Sequence, residues 1–357
     1  MHLVNDKLAI YQLYFNFLPS WWNKNYGVVW GKKYHFDPDY RVEIWKLIAR
    51  SLNERFPMLH IGSENPEPMV SQPDFNNGTT PALAGCEVEY PIDNYPWNRH
   101  LSPEAIANLT PPENPMEVFP YTEIISQVQY LNKKLGQNVK PWLPVRGVLN
   151  DAALIQGNDI FSDMYLQPVN AKKLFDYTSS VMLSLIKYNH DVFGFNDMVC
   201  PANCCAMMIS PETYREWLLP YDYKITQASY SYGLKFGIHH CGIFDKYAPV
   251  YREITRIDYL EIGWDSNIRL ALDMFPEARV QYIFSTTFVN SSDRHKIRGK
   301  MKEILEAARG NWHRFSISVP DLEFGAPEDN LYEIYECCKT AQSVSCDHNK
   351  IALDVMN

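Results

Sequence analysis

His239 and Cys241 are the two side chains best suited by type and spacing to bind a metal ion. They lie two residues apart at the end of a predicted strand, Leu234 to His239, so their side chains point to the same side of an extended chain. Gly242 follows and lets the chain turn. Imidazole and thiolate are ligands typical of Zn²⁺, which in catalytic sites keeps one position open for substrate. The pair therefore predicts a zinc site.

Two acidic residues at the ends of later predicted strands are candidates to complete this site. Glu261 lies in the strand Tyr259 to Ile262, and Asp321 comes just after the strand Phe315 to Val319, with Glu323 close by. A carboxylate either completes a tetrahedral site or holds its open position until substrate arrives. The alternative interpretation of each residue is a salt bridge or a cap for the following helix.

Asp197 and a group of three cysteines come before the metal pair in the chain. Asp197 follows the predicted strand Val192 to Asn196, so we expect it at the same edge of the sheet, where it would orient substrate or act as acid or base. A surface loop position is the alternative. Cys200, Cys204 and Cys205 form a cluster whose thiols are candidates to bind metal. No second Cys/His cluster at zinc-finger spacing accompanies it, so we interpret these residues as buried thiols.

The elements that must position these residues are short apolar segments, which alternate with longer amphipathic segments from about residue 116. The predicted strands are Val145 to Leu149, Val192 to Asn196, Leu234 to His239, Tyr259 to Ile262, Val280 to Phe284 and Phe315 to Val319. The predicted helices are Ala171 to Tyr188, Ser210 to Tyr232, Tyr247 to Thr255, Ser292 to Arg309 and Glu328 to Thr340. This alternation implies a parallel sheet. Because the sequence contains neither a dinucleotide-binding glycine fingerprint nor a P-loop, we predict a (β/α)8 TIM barrel with its chemistry at the strand ends.

Residues 1–115 are irregular and rich in Pro and aromatic residues. Helices are predicted from Lys7 to Phe17 and from Pro38 to Phe56, the second introduced by Asp37. We expect this segment to be an extension that caps the mouth of a barrel formed by residues 116–357. The two parts would make one structural domain.

Charge and composition limit the class of protein. The formal net charge is -9, and no block of Lys and Arg is long enough to follow a phosphate backbone, which argues against nucleic-acid binding. No apolar stretch approaches the roughly 18 residues of a membrane span, and the first residues lack the features of a signal peptide. We therefore expect a cytoplasmic protein, bound to neither nucleic acid nor membrane, with its eight cysteines as reduced thiols.

Four short motifs appear in order at plausible spacing. Residues 209–212 read Ile-Ser-Pro-Glu, and residues 218–220 read Leu-Leu-Pro one helix later. Residues 238–242 read Ile-His-His-Cys-Gly, and residues 326–330 read Ala-Pro-Glu-Asp-Asn. Over roughly residues 140–340 the chain thereby resembles the uroporphyrinogen decarboxylase superfamily, whose helix starts and Ile-His-x-Cys-Gly zinc motif are similar. The resemblance implies a (β/α)8 barrel.

Within that superfamily the chain resembles the branch of zinc-dependent corrinoid methyltransferases. The Arg-rich N-terminal motif of the true decarboxylases is missing from the sequence, whereas His239 and Cys241 match the methyltransferase zinc motif. Those enzymes commonly take a further Cys ligand near the last strand, but residues 319–323 contain none. The resemblance makes Asp321 the substitute by position and puts Glu261 close to the place of an acidic ligand.

The resemblance also implies a partner that carries the corrinoid (cobalamin). Residues 293–299 only approximate the Asp-x-His-x-x-Gly signature of corrinoid-binding domains, because the Gly comes one residue late. The corrinoid would therefore belong to a separate protein. The small-molecule partner would be a methylated donor (ether, alcohol, thioether or amine) or a thiol acceptor.

The zinc would serve one of two directions of methyl transfer. It would bind a thiol acceptor as thiolate, or it would polarise a methylated donor, with Asp197 bonded to that donor. One thiolate with acidic ligands is a Lewis-acidic set and favours demethylation, and the Trp- and Tyr-rich cap would seat an aromatic donor. Two other functions stay open: a decarboxylase acting on a small carboxylate without zinc, and a non-catalytic binding protein on a barrel scaffold.

Overall fold

Seven of the described strands form one sheet, which contains the residues of interest. The computed structural model describes residues 3–4, 12–73, 75 and 78–354. Its strands are β1 (Leu3–Val4), β2 (Gln12–Phe17), β3 (Val88–Glu89), β4 (Trp97–Asn98), β5 (Met198–Val199), β6 (Lys235–His240), β7 (Tyr259–Ile262), β8 (Arg279–Ile283) and β9 (Phe315–Leu322). The order in the large sheet is β1-β2-β9-β8-β7-β6-β5, and β3 pairs with β4 separately.

The large sheet has the parallel topology and the curl of a barrel. β1 runs antiparallel to β2, and β2, β9, β8, β7, β6 and β5 are all parallel to their neighbours. One face is apolar and buried, with Ile238 on β6, Leu260 on β7 and Ile317 on β9. The predicted α/β barrel-type fold is confirmed, with six parallel strands among the described residues curled into a half-barrel. In such folds the carboxyl ends of the strands meet at one edge.

Helices follow the strands and cover the apolar face. They are α1 (Pro19–Tyr26), α2 (Lys32–Phe36), α3 (Pro38–Arg55), α4 (Thr79–Leu83), α5 (Pro103–Ala107), α6 (Tyr121–Leu135), α7 (Val148–Gln156), α8 (Asp159–Leu166), α9 (Pro168–Asp191), α10 (Pro211–Trp217), α11 (Leu219–Ser231), α12 (Ala248–Tyr251), α13 (Ile268–Met274), α14 (Thr286–Ser291), α15 (Arg294–Ala307) and α16 (Glu328–Asp354). Two predicted helix starts are confirmed by their caps. Asp37 Oδ1 accepts from Tyr40 N at 3.0 Å, and Ser210 Oγ accepts from Thr213 N at 3.1 Å.

The helix predicted from Lys7 to Phe17 is wrong where the structure describes it. Residues 12–17 are β2, and residues 5–11 lie outside the described residues. β2 alternates buried Leu13, Phe15 and Phe17 with partly buried positions, the period of a strand. Its aromatic content suits a strand as well. The segment predicted as a cap therefore supplies a strand to the sheet, and the division at residue 115 stays a prediction.

Two predicted strands are wrong. The segment Val145 to Leu149 is extended chain followed by α7, because Pro141 and Pro144 cannot donate to a strand ladder and Gly147 caps the helix. The segment Val192 to Asn196 is a turn that ends α9, with Gly194 at a φ of 69°. The strand begins only at Met198.

The helix predicted from Ser210 to Tyr232 is two helices. α10 ends at Trp217, and α11 begins at Leu219. Pro220 at the start of α11 has no N–H to continue the ladder of α10 and restricts the residue before it.

Among the described residues, no helix combines the length and the apolar character needed to cross a lipid bilayer.

Candidate metal centre

Cys204, His239 and Cys241 lie together at the carboxyl end of the sheet. One ligand atom from each residue lies within 4.8 Å of the other two. Two backbone hydrogen bonds join the segment after β5 to β6 and bring the three residues together. Asn203 N donates to His239 O at 2.7 Å, and His239 N donates to Pro201 O at 3.0 Å. Two thiols and one imidazole can hold a metal ion, and they fit the tetrahedral preference of Zn²⁺ with a fourth position left over. Cys241 is exposed, so the cluster is accessible from its side.

The turn that contains Cys204 is held on two sides. Residues 204–208 form a 3-10 helix directly after Asn203. The Tyr247 hydroxyl bonds to the carbonyl oxygens of Ala206 at 2.7 Å and Ile209 at 2.6 Å. On the other side Asn150 Oδ1 accepts from Cys205 N at 2.9 Å. The position of the Cys204 thiol is thus fixed by the packed framework.

Hydrogen bonds within the cluster shift the pKa values of its side chains. The hydrogen bond from the Cys241 thiol lowers the pKa of Cys204, and the nearby His239 ring lowers it further. For His239, burial lowers the pKa, but hydrogen bonds with Cys204 and Glu261 outweigh burial and raise it to about 10. Cys204 therefore carries thiolate character, and the thiolate is the form that binds metals.

Glu261 is placed against His239, outside the three-residue cluster. One of its carboxylate oxygens bonds to His239 Nδ1, and the other accepts from Gln281 Nε2 at 2.8 Å. Ser316 Oγ in turn donates to Gln281 Oε1 at 3.2 Å. The parallel register puts these four residues side by side on β6, β7, β8 and β9. A carboxylate on one ring nitrogen fixes the tautomer and leaves Nε2 for a metal, as is usual for metal-binding histidines.

Neither Asp321 nor Asp197 joins the cluster. Asp321 lies on β9 with an exposed side chain and a φ of 54°, where the register between β2 and β9 shifts. Asp197 comes directly before β5, so it lies at the amino edge of the sheet. There it lines, together with Lys235 and Arg279, a cavity of about 560 Å³ that also reaches Glu261. Its placement differs from the expectation because the strand begins after Asp197 and does not end before it.

Cys204 is the residue that the sequence interpretation missed, since it was assigned to a group of buried thiols. Ala202 pairs with His239 in a parallel bridge. Cys204 follows Ala202 by two residues, as Cys241 follows His239 by two. A signal was therefore present, because cysteines after neighbouring parallel strands converge at one edge. It could be used only with β5 at its correct position.

The aromatic cap contains a cavity at the end of β2. Trp22, Trp30, Tyr34 and Trp45 line it together with Asn16, and its volume is about 70 Å³. An apolar cavity of about 150 Å³ is known to hold benzene. This cavity is smaller, and a seat for an aromatic methyl donor in the cap stays a prediction.

A parallel barrel-type sheet with a Cys/His cluster at its carboxyl edge is the architecture of a TIM-barrel enzyme with a candidate metal centre. The family model for uroporphyrinogen decarboxylase (URO-D) matches residues 78–341, and the chain belongs to this family. The chain is 24% identical over 332 residues to a uroporphyrinogen decarboxylase of Picosynechococcus sp. (strain ATCC 27264 / PCC 7002 / PR-6), covering 83% of this chain and 89% of that protein. A solved structure, a methyltransferase from Methanosarcina mazei, is similar with a TM-score of 0.64 at 13% identity, and 94% of each chain is covered.

Replacing Glu261 by Gln should weaken metal binding without removing a ligand. The amide no longer offers His239 Nδ1 an anionic acceptor, and the loss of such an outer partner typically costs about 10–100-fold in metal affinity. The Zn²⁺ dissociation constant of Glu261→Gln, measured by competition with a chromophoric chelator, should rise by that factor. Asp321→Asn is the matched control and should bind Zn²⁺ like the wild type. An equal loss in Asp321→Asn would make Asp321 a ligand.

Proposed function

We propose that this protein is a zinc-dependent methyltransferase, which moves a methyl group between a small molecule and the corrinoid of a separate protein. The observation that carries this proposal is the cluster of Cys204, His239 and Cys241 at the carboxyl edge of the sheet. The family membership supports an enzyme on this fold, and the likeness to a methyltransferase structure is consistent with the fold. Reduced thiols in such a cluster suit the cytoplasm, which we propose as the compartment.

The donor set favours one direction of transfer. Two thiolates and one imidazole are more electron-rich than the set of one thiolate and carboxylates that the sequence suggested. Two thiolates offset the charge of Zn²⁺, which makes the centre less Lewis-acidic and leaves a bound substrate thiolate nucleophilic. We therefore infer that the small molecule is a thiol acceptor and that the methylated corrinoid is the donor.

The residues of the chain have separate parts in this reaction. Zinc, when bound by Cys204, His239 and Cys241, would lower the pKa of the substrate thiol so that its thiolate exists at neutral pH. Glu261 holds the tautomer of His239. The corrinoid of the partner protein would supply the methyl group to the substrate sulfur. Cys241 is exposed, which is consistent with access of the thiol to the cluster from its side.

A decarboxylase is the second candidate, because the curated relative at 24% identity is a uroporphyrinogen decarboxylase. The two functions differ in their need for the cluster. A decarboxylase of that type would act on a carboxylate without zinc. It would therefore keep its activity after the metal is removed.

The test uses purified protein produced without a metal-binding tag. Elemental analysis should find about one zinc per chain, and the zinc should be lost in Cys241→Ala. With free methylcobalamin and 2-mercaptoethanol, the absorption spectrum should show loss of the Co–C bond. Chelation should stop the reaction, and added Zn²⁺ should restore it. Metal-free protein that decarboxylates small carboxylates, and a wild type that takes up no zinc, would contradict the proposal.

A further inference from the structure

A buried polar network lies directly beneath the Cys204 turn. Asn203 Nδ2 donates to the Tyr214 hydroxyl at 2.9 Å and to Asp222 Oδ2 at 3.0 Å. The Tyr214 hydroxyl also donates to Asp222 Oδ2. All three side chains are buried, with 4%, 1% and 2% of their surface exposed for Asn203, Tyr214 and Asp222. The network therefore anchors the residue that precedes Cys204 to the helices α10 and α11.

The same network reaches the second ligand segment. Tyr251 OH bonds to His240 Nδ1 at 2.9 Å, and His240 is the residue between His239 and Cys241. The Asn203 side chain also interacts with the Tyr251 hydroxyl. Tyr251 and His240 are fully buried. One set of hydrogen bonds thus links both chain segments that supply the ligand candidates.

Packing alone does not explain why a carboxyl group is buried at position 222. Burial raises the pKa of Asp222 to about 6, although hydrogen bonds from Tyr214 and Asn203 lower it. Both donors are neutral, so the carboxylate is buried without the compensation of a cation. An apolar residue would fill this position at a lower cost. Tyr214 and Asp222 lie just inside the Ile-Ser-Pro-Glu and Leu-Leu-Pro helix starts, for which the proposed reaction has no other use.

We propose that Asp222, through Asn203 and Tyr214, is the positioning residue that presents the Cys204 thiolate to the metal. The carboxylate fixes the Asn203 amide, and the adjacent Cys204 then starts its turn in the orientation that converges on His239 and Cys241. The inference rests on the proposed metal centre. Asp222 itself does not contact the ligand atoms.

The experiment compares two conservative variants with a matched control. Asp222→Asn removes the charge at nearly constant shape, and Tyr214→Phe removes one donor while the Asn203–Asp222 bond stays possible. Tyr221→Phe removes the hydroxyl of the residue next to Asp222; this hydroxyl donates to Asp176 of α9 at 2.7 Å and is not part of the network at the Cys204 turn. Zn²⁺ affinity is measured by chelator competition, and the thiolate-to-metal absorption is measured with Co²⁺. Thermal unfolding in chelator reports the stability of the metal-free protein.

We expect Asp222→Asn and Tyr214→Phe to bind Zn²⁺ about 10-fold more weakly or worse, in the range of outer partners of metal ligands. Their Co²⁺ forms should lose part of the thiolate absorption, and Tyr221→Phe should match the wild type in both. Lowered thermal stability with unchanged Zn²⁺ affinity and Co²⁺ absorption would overturn the inference, since a purely structural role predicts that result. If Asp222→Asn does not fold, the Zn²⁺ affinity and Co²⁺ absorption of Tyr214→Phe test the inference in its place. A wild type without zinc refutes the proposed function, whereas zinc-binding variants refute only the role of Asp222.

Discussion

Cys204→Ser should lose its zinc, while Cys205→Ser should keep it. Cys204 is one of three residues whose ligand atoms lie within 4.8 Å of one another. A serine hydroxyl is a harder and far weaker ligand for Zn²⁺ than a thiolate at neutral pH. Removal of a direct ligand should exceed the roughly 10–100-fold loss expected for an outer partner. The zinc content after dialysis should therefore fall from about one per chain to almost none.

Cys205→Ser is the control for this experiment because it makes the same chemical change one residue away. Burial raises the pKa of Cys205 to about 11, and its thiol is not part of the cluster. Co²⁺ substitution gives a second measurement, since the thiolate absorption should fall to about half in Cys204→Ser if two thiolates bind the metal. If Cys204→Ser keeps its zinc and Cys205→Ser loses it, the third ligand is Cys205 and not Cys204.

Asp151→Asn should stabilise the protein above neutral pH. Asp151 is fully buried on α7, and burial raises its pKa to about 7 against the lowering effects of Thr80 and Arg146. The same carboxyl in the unfolded chain has a pKa of about 3.9. Between these values the native state holds a proton that the unfolded state has released, so the free energy of unfolding decreases as pH rises. The contribution of Asp151 to the free energy of unfolding is therefore fully present below pH ~4 and is lost by pH ~7.

The size of this effect follows from the difference between the two pKa values. About three pKa units correspond to roughly 4 kcal/mol, an upper estimate for the cost of the ionised carboxylate at pH 8. Because Asn does not ionise, the free energy of unfolding of the variant should rise relative to that of the wild type between pH 5 and pH 8. Urea denaturation at both pH values, in chelator, measures the difference. Asp197→Asn has the same change of formal charge at an exposed position and should follow the wild type. A variant destabilised equally at both pH values would show that a structural anion is needed there.

Local patterns predicted the elements whose identity is decided within their own residues. The periodic apolar positions of α9 and the cap at Asp37 gave the helices α3 and α9 to within a few residues, and the apolar run of β7 gave that strand at its observed bounds. His239 and Cys241 were predicted as ligands because their spacing at the end of one strand is itself the signal.

The elements that were predicted wrongly depend on distant parts of the chain. β2 is a strand because β9 pairs with it, and its apolar spacing alone also resembles a helix. Cys204 becomes a ligand candidate through the bridge between Ala202 and His239, which no local pattern encodes. Glu261 was predicted as a metal ligand, whereas its carboxylate contacts His239 Nδ1, a pairing that depends on the register of β6 and β7. Tertiary pairing, which is not readable from one sequence, decides all three.

The pairing of β2 with β9 has a consequence for synthesis of the protein. The two strands are separated by about 300 residues, yet they lie side by side in the sheet. At roughly 5–20 residues per second, a ribosome needs on the order of 15–60 s to make the intervening chain. During that time the apolar strand Leu13–Phe17 has no partner on the edge that β9 later covers, and unpaired strand edges are prone to aggregate. This sheet should therefore be completed in the cell only after β9 has left the ribosome, and nascent chains truncated before residue 315 should depend strongly on chaperones.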